Sequence, residues 1–410
     1  MLTSIIDKNV HYSKDTLRWQ IDSYYNQLTI PKGAVVIILS DYSFYSIALF
    51  LALIKNENII VPIINNKEIG KKITSIFCEY VIEIDKNKLL ITGFSKSVSP
   101  MIQSLQGSAG LILFSSGTTG EQKAILYNLN LLIEKFKNKK TPDSIFLVFL
   151  MFDHMGGINT LLHCLSTESV LVIPESRNPD YICELISKHK ITVLPTSPTF
   201  LNLILLSEAY KDYSLSSLRL ITYGSEPMPD SLLERLKSIF KVKFHQTFGI
   251  SELGVLKTKS EDNNYITLNE EYKIVDSELW VKKNPAMIGY LNIENNTDEW
   301  YKTGDIVDEK NGTIKITGRI TKIINVGGQK VTPSEVESIL FMMPEIKDCK
   351  VYSEPNLILG EIVVADIVSN SDITKKIISD FCVDKLDRFK IPMKINVVKE
   401  IGYTERFKKL

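Results

Sequence analysis

A chain of 410 residues, 44% hydrophobic and 23% charged, is long enough for two or three domains and a large core. Its 48 basic residues balance 48 acidic ones, so no global field points to nucleic acid or an anionic membrane; the expected partner is a small molecule or a locally recognised protein. The five cysteines (Cys78, Cys164, Cys183, Cys349, Cys382) stand far apart with no CxxC pair, which argues against zinc or a disulfide framework and for reduced thiols in the cytoplasm. The N-terminus carries charge within its first eight residues and lacks the apolar core of a signal peptide. The longest apolar stretch of the first domain, 47–54, falls well short of the roughly 20 residues of a spanning helix, so no integral membrane segment is expected.

In chain order, 34–39 is an apolar, β-branched run that predicts a buried parallel strand. A helical stretch at 44–54 and a strand at 59–64 complete a βαβ unit and point to an α/β fold. Residues 111–115 predict another buried strand. The alternation resumes with a strand at 145–152, a helix at 160–165, a strand at 170–173 and a helix at 181–189. Short strands follow at 192–194, 218–222 and 242–245. After Tyr265 the texture changes, and alternating segments at 277–281 and 313–316 predict antiparallel strands. From about Thr321 the pattern is that of a small α+β unit, with helices at 334–342 and 374–385 and strands at 349–353, 361–368 and 394–398. The division expected is 1–318 and 319–410.

The most telling run is Phe114 to Ala124, where Ser115, Ser116, Gly117, Thr118, Thr119, Gly120 and Lys123 crowd one loop after a strand. Gly lets backbone N–H groups turn inward, hydroxyls add donors and Lys adds a point charge, which suits a polyphosphate. The P-loop spacing is not met: Gly117 and Gly120 enclose two residues and Lys123 stands apart. Further along come Phe152-Asp153-His154-Met155-Gly156-Gly157, Tyr223-Gly224-Ser225-Glu226 and Gln246-Thr247-Phe248-Gly249-Ile250-Ser251-Glu252. Tyr301-Lys302-Thr303-Gly304-Asp305, Gly318-Arg319-Ile320-Thr321, Asn325-Val326-Gly327-Gly328 and Thr404-Glu405-Arg406-Phe407-Lys408-Lys409 complete the set. Read singly, these pass for turns, helix caps or a solvated basic tail. Asp153 reads equally as a cap, and Ser334 with Glu337 reads as a capping box. A carboxylate such as Glu252 near a triphosphate makes sense only with a cation between them.

Together and in this order, the motifs resemble those of the adenylate-forming superfamily, which includes acyl-CoA synthetases, luciferases and peptide-synthetase adenylation domains. The first loop is similar to Ser-Ser/Thr-Gly-Thr-Thr-Gly-x-Pro-Lys-Gly, with Gln122 for Pro and Ala124 for Gly. The resemblance implies an α/β fold: a large N-terminal domain of parallel-sheet subdomains with a β-rich subdomain, and a mobile α+β C-terminal domain that swivels about Thr321. It also implies that Ser115 to Gly120 and Lys123 clasp the phosphates of ATP, that Gly224, Ser225 and Glu226 pack against adenine and the acyl group, and that Gln246, Thr247, Phe248 and Gly249 continue this wall with Phe248 stacked on adenine. By the same resemblance Ser251 touches phosphate, Glu252 binds Mg2+, Asp305 accepts from both ribose hydroxyls and Arg319 contacts ribose or phosphate. Asp153, His154, Gly157 and Gly249 belong to the acid pocket, with apolar Ile158, Leu161 and Leu162 behind them. Gly327 and Gly328 line a thiol tunnel, and Lys408 is the adenylation lysine. The family's Gly before that Lys is Phe407 here, and Lys409 is a substitute for its final Arg.

The activity implied is that of an ATP-dependent, AMP-forming acid–thiol ligase. A fatty or aromatic acid becomes acyl-AMP and passes to CoA or to the phosphopantetheine of an acyl or peptidyl carrier protein. Asp153 keeps open an amino-acid-activating enzyme, since in such relatives an Asp after Phe holds the substrate's ammonium. The departures at Gln122, Thr321 and Phe407 keep open a degenerate nucleotide-binding partner protein without catalysis. Adenylation without thiol transfer is a third alternative.

Overall fold

The computed structural model describes residues 2–65, 69–95, 99–105, 107–116, 122–137, 143–256, 258–260, 264–295, 298–371 and 373–409. Its first sheet has seven strands, ordered Met287–Tyr290, Gln122–Asn128, Gly110–Ser116, Ile59–Ile63, Val35–Leu39, Tyr80–Asp85 and Lys88–Gly93. The central strands are parallel and both edges are antiparallel. Val36 and Ile38 face one core cluster while Val35 and Ile37 face another, so this strand is covered on both sides, which is why its sequence is apolar throughout.

The second sheet also has seven strands, ordered Lys243–Gln246, Leu220–Tyr223, Val193–Thr196, Ile145–Leu147, Val170–Ile173, Ile5–Asp7 and Val10–Tyr12, parallel except for the last pair. Helices Phe44–Lys55 and Met155–Thr167 lie between the two sheets and share one core cluster with both. Helices Pro179–His189, Pro198–Ser207 and Asp230–Ile239 cover the far face of the second sheet. A six-stranded antiparallel sheet follows, with Trp300–Lys310 beside Thr313–Arg319. Beyond it, Ile324–Val326, Gln329–Val331, Ile346–Asn356, Gly360–Ser369 and Lys394–Val397 form a separate sheet, packed by helices Pro333–Leu340 and Lys375–Cys382 around its own core. All five cysteines are buried and free. No helix among the described residues is long and apolar enough to cross a membrane.

Several local expectations need correcting. The strand expected over 145–152 stops at Leu147, because Phe149 turns its N–H back to Leu147 O at 3.0 Å and the chain leaves the sheet. The helix expected from residue 160 begins at Met155, and its N-cap is His154, not Asp153. A Cβ on Gly157 would lie 2.0 Å from Met151 O, so this glycine lets the helix start press onto the preceding loop. Ile158, Leu161 and Leu162 point into the core between the sheets and not into a pocket. The capping box at Ser334 and Glu337 does not form. Helix Pro333–Leu340 has Thr332 at its N-cap position with no side-chain capping bond, the Ser334 hydroxyl bonds Thr317 O, and Glu337 accepts from Val351 N at 2.9 Å. Helix Lys14–Gln27, polar overall with Leu17, Ile21 and Tyr24 turned inward, was not expected.

Candidate active site

The carboxyl ends of the parallel strands place Thr196, Tyr223 and Gln246 side by side in register, the edge where α/β sheets build ligand clefts. Immediately beyond them, a Cβ on Gly224 would meet Thr247 O and Oγ1 at 2.6 Å, so two loops close on each other there. Thr247 N–H donates to Tyr223 O at 2.8 Å and locks that approach. Ser225 follows in the left-handed region with φ +72°. Glu226 accepts from Thr199 N–H at 2.7 Å at the start of helix Pro198–Ser207, and burial pushes its carboxyl above the usual range. Gln246 is 4% exposed and its Oε1 has no partner among the described residues.

Phe248 does not present a free ring. It is 5% exposed and packs with Ile250, Leu253 and Leu256, since without a hydroxyl the ring is at home in an apolar cluster. Gly249 pairs against Val255, where a Cβ would meet Gly254 O at 2.9 Å. The turn between these short strands carries Ser251 and Glu252. Tyr127 donates its hydroxyl to Ser251 O, and Tyr290 donates to Glu252 Oε1 at 3.0 Å. The Tyr290 ring also lies 5.5 Å under Lys123 Nζ. Lys123 sits in strand Gln122–Asn128 opposite Ser115. Gly117, Thr118, Thr119, Gly120 and the side chain of Ser116 lie outside the described residues.

Asp305 is in the middle of a strand and not in a turn. It faces Arg319 across the sheet, with Nε to Oδ1 at 2.8 Å. Burial pushes its carboxyl up to about 6, against the opposing pull of Arg319. Thr321 lies in the exposed 3-10 turn Ile320–Lys322 just beyond. Gly327 and Gly328, at φ +57° and +88°, form the exposed two-residue turn between Ile324–Val326 and Gln329–Val331.

The end of the chain folds over the cleft as a small hairpin. Tyr403 bridges Lys409, Thr404 N–H donates to Lys408 O at 2.9 Å, and Phe407 N–H donates to Thr404 O at 2.9 Å. Lys409 is not a stand-in for a cleft arginine. It is half-buried in the C-terminal unit, ion-paired to Asp348 at 2.9 Å, and Tyr403 donates its hydroxyl to the same carboxylate. Burial alone would lower the Lys409 ammonium, but Glu337 and Asp348 hold it well above its ordinary value. Lys408, by contrast, enters a cavity lined by Phe149, Met151, His154, Arg177 and Ser225. Burial, then Arg319, Arg406 and Lys322, pull its ammonium below the ordinary lysine value.

His154 accepts from Gly156 N–H through Nδ1 at 3.1 Å, and burial pulls its imidazole down to about 4, so it is neutral near pH 7. Asp153 is ion-paired with Arg406 at 3.1 Å, although burial still raises its carboxyl. Sequence reasoning missed Arg177, which binds Phe149 O at 2.7 Å and Asp41 at 3.0 Å, as well as Tyr290, Phe149 and Arg406. Arg406 stands in the C-terminal run without a role of its own there, and Arg177, Tyr290 and Phe149 stand in none of the glycine-bearing runs.

The sequence model of the AMP-binding enzyme family matches residues 66–291, more than half of the chain, and that of the AMP-binding enzyme C-terminal domain matches residues 335–408. An octahydro-indenyl-propanoyl:CoA ligase of Mycobacterium tuberculosis is 31% identical over 315 residues, 70% of this chain and 62% of that protein. A 4-coumarate–CoA ligase of Pinus taeda is 29% identical over 311 residues, 65% of this chain and 58% of that one. The chain thus spans about three fifths of the length of these curated relatives. Among solved structures, ATP-bound MatB from Rhodopseudomonas palustris superposes with a TM-score of 0.83 at 19% identity, covering 98% of this chain and 93% of that one. The anthranilate CoA ligase AuaEII in complex with anthranoyl-AMP gives 0.81 at 19%, covering 99% and 92%. These two likenesses establish the fold, and the match over 66–291 establishes the family: the chain belongs to the AMP-binding enzymes.

Proposed function

We propose that this chain is an ATP-dependent, AMP-forming acid–thiol ligase of the cytoplasm, acting on a fatty or aromatic carboxylic acid with CoA or a carrier-bound phosphopantetheine as acceptor. The observation that carries the reading is Lys408, an ammonium brought by the C-terminal hairpin to the same cavity as His154 and Ser225. A cation positioned there stabilises charge that develops on a phosphate and a carboxylate.

In the first step a carboxylate oxygen of the acid attacks the α-phosphorus, the bond to the bridging oxygen breaks, and pyrophosphate leaves. Lys408 faces the developing charge. Asp305 accepts from the ribose hydroxyls, with Arg319 beside it to keep the carboxylate ionised at neutral pH. The unpartnered Gln246 Oε1 suits an exocyclic amine such as that of adenine. Gly224, Ser225, Thr247, Gly249 and Ser251 wall the nucleotide, while Lys123 and the loop from Ser115 to Gly120 take the β and γ phosphates. Glu252, an oxygen donor held by the Tyr290 hydroxyl, fits Mg2+, which binds through one or two carboxylates plus substrate phosphates. The ion would supply neutralisation of phosphate charge. In the second step the thiol sulfur attacks the acyl carbon, the carbon–oxygen bond to AMP breaks, AMP leaves and the thiol proton passes to solvent. For this the part of the chain beyond Thr321 turns, withdraws Lys408 and presents Gly327 and Gly328.

The acid class rests on what surrounds His154. Phe149, Leu150 and Met151 give an apolar wall, and Asp153, the carboxylate an amino acid's ammonium would need, is taken by Arg406. The test is acid-dependent ATP–pyrophosphate exchange with a panel of fatty, aromatic and amino acids, alongside Lys408→Ala. Exchange with fatty or aromatic acids, lost in the variant by two to three orders of magnitude, is expected, about what one transition-state donor supplies. Exchange with amino acids alone would overturn the acid class, and full activity in Lys408→Ala would overturn the role of the lysine.

A further inference from the structure

Phe407 is a large residue in the left-handed region, φ +56°, where a Cβ is crowded and glycine is the usual occupant. Its ring reaches out of the hairpin and into the N-terminal part of the molecule. It stacks on Phe149 with centroids 5.2 Å apart and an interplanar angle of 30°, and meets Phe200 edge-on at 5.0 Å. Those two rings touch each other at 4.2 Å and belong to the core on the far face of the second sheet. Next to it Arg406 pairs with Asp153. The other end of the hairpin is fastened to the C-terminal unit through Lys409, Tyr403 and Asp348. Lys408 lies between the fastened end and the inserted residues.

We propose that Phe407 and Arg406 form a two-point plug that seats the hairpin on the N-terminal part and sets where Lys408 stands, with Phe407 the positioning residue. This rests on Lys408 acting in the first step. The plug biases the resting protein toward the arrangement that forms the adenylate, and it must be withdrawn before the thiol step. Withdrawal separates Phe407 from two aromatic neighbours and leaves Asp153 without its guanidinium, so the exchange between the two arrangements is governed by this contact. The strained backbone at Phe407 fits a role bought by the ring, because glycine would relieve the strain and lose the insertion.

The test uses Phe407→Gly, which suits the left-handed backbone and so preserves the hairpin turn, with Phe407→Leu and Asp153→Asn beside it. Amide hydrogen exchange is measured without substrates. Exchange at 403–408 and 146–152 is expected to rise about ten-fold in Phe407→Gly, the order that one or two aromatic contacts supply, and by less in the other two variants. Exchange in the strands Val35–Leu39 and Ile59–Ile63 is expected to stay as it was. Unchanged exchange at 403–408, or an equal rise in those strands, overturns the plug. The half-reactions separate positioning from plain stability. In Phe407→Gly, kcat for pyrophosphate exchange should fall about ten-fold at unchanged KM for ATP, while thiol transfer from purified acyl-adenylate holds or quickens. A parallel fall in both half-reactions overturns the proposal. Should no acid support exchange in the wild type, the ligase reading fails and the hydrogen-exchange result alone decides on the plug.

Discussion

Asp305 and Arg319 face each other across two adjacent strands of one sheet, whereas Asp153 and Arg406 are 253 residues apart and meet only where the C-terminal hairpin lands. The first pair is fixed by strand register, and no movement beyond Thr321 needs to disturb Asp305. The second depends on the seating of the C-terminal hairpin. One side of the cleft is therefore prebuilt by backbone pairing, and the other is assembled by docking. The proposed two-step reaction, which holds one substrate while catalytic groups are exchanged, would gain from that division.

Four experiments break or sharpen this contrast. The largest effect is expected from Asp348→Ala, which removes the buried carboxylate that both the Lys409 ammonium and the Tyr403 hydroxyl bind. A loss of about 3–5 kcal/mol from the C-terminal unit should appear in denaturant unfolding, with ATP affinity little changed because the register-built side does not depend on it. Gly157→Ala strikes the loop that carries Asp153 and His154. With 2.0 Å to Met151 O the backbone has to shift, at about 1–3 kcal/mol of global stability, read from the thermal midpoint.

Asp305→Asn tests the prebuilt side, with ATP affinity expected to drop about ten-fold by calorimetry, the size of one charge-assisted bond. Wild-type affinity should weaken as the pH falls through about 6, where Asp305 takes up a proton, and the variant should be flat there. The smallest effect concerns His154. Its folded value of about 4 lies below the ordinary 6.5, so the unfolded chain takes up the proton first and stability is lost as pH falls from 6.5 towards 4. About 1 kcal/mol should go over the first unit below 6.5, and His154→Asn, which still caps the helix, should abolish that slope in unfolding measurements at each pH.

Much of the frame was legible because it rests on local patterns. The continuous apolar runs at 34–39 and 59–64 can only be strands covered on both faces, and they are. Asp305 and Glu252 were read from glycine-bearing runs, and Lys408 from its spacing to Thr404. Helix Lys14–Gln27 escaped because its buried residues are few on a polar background. The role of Arg406 escaped for another reason: nothing within twenty residues of it hints at Asp153, and pairing over such a separation is written only in the fold. Ile158, Leu161 and Leu162 were assigned to a pocket by proximity to His154, but helical periodicity turns them to the opposite side, into the core. Phe248 was matched to an aromatic position, yet its burial follows from the apolar company at Ile250 and Leu253.

Helices Phe44–Lys55 and Met155–Thr167, lodged between the two seven-stranded sheets, bear on how this molecule can be recombined. Each helix belongs by sequence to one sheet but is solvated by neither, since its opposite face is the floor of the other. Exchanging the acid-side stretch around 145–167 for that of a relative therefore installs a foreign lining under the first sheet as well. Chimeras cut between the sheets should express poorly unless Phe50, Phe152 and Leu161 travel together, whereas a crossover in the exposed turn at 320–322 keeps the two seven-stranded sheets and the helices between them intact and exchanges only what the C-terminal hairpin lays on them.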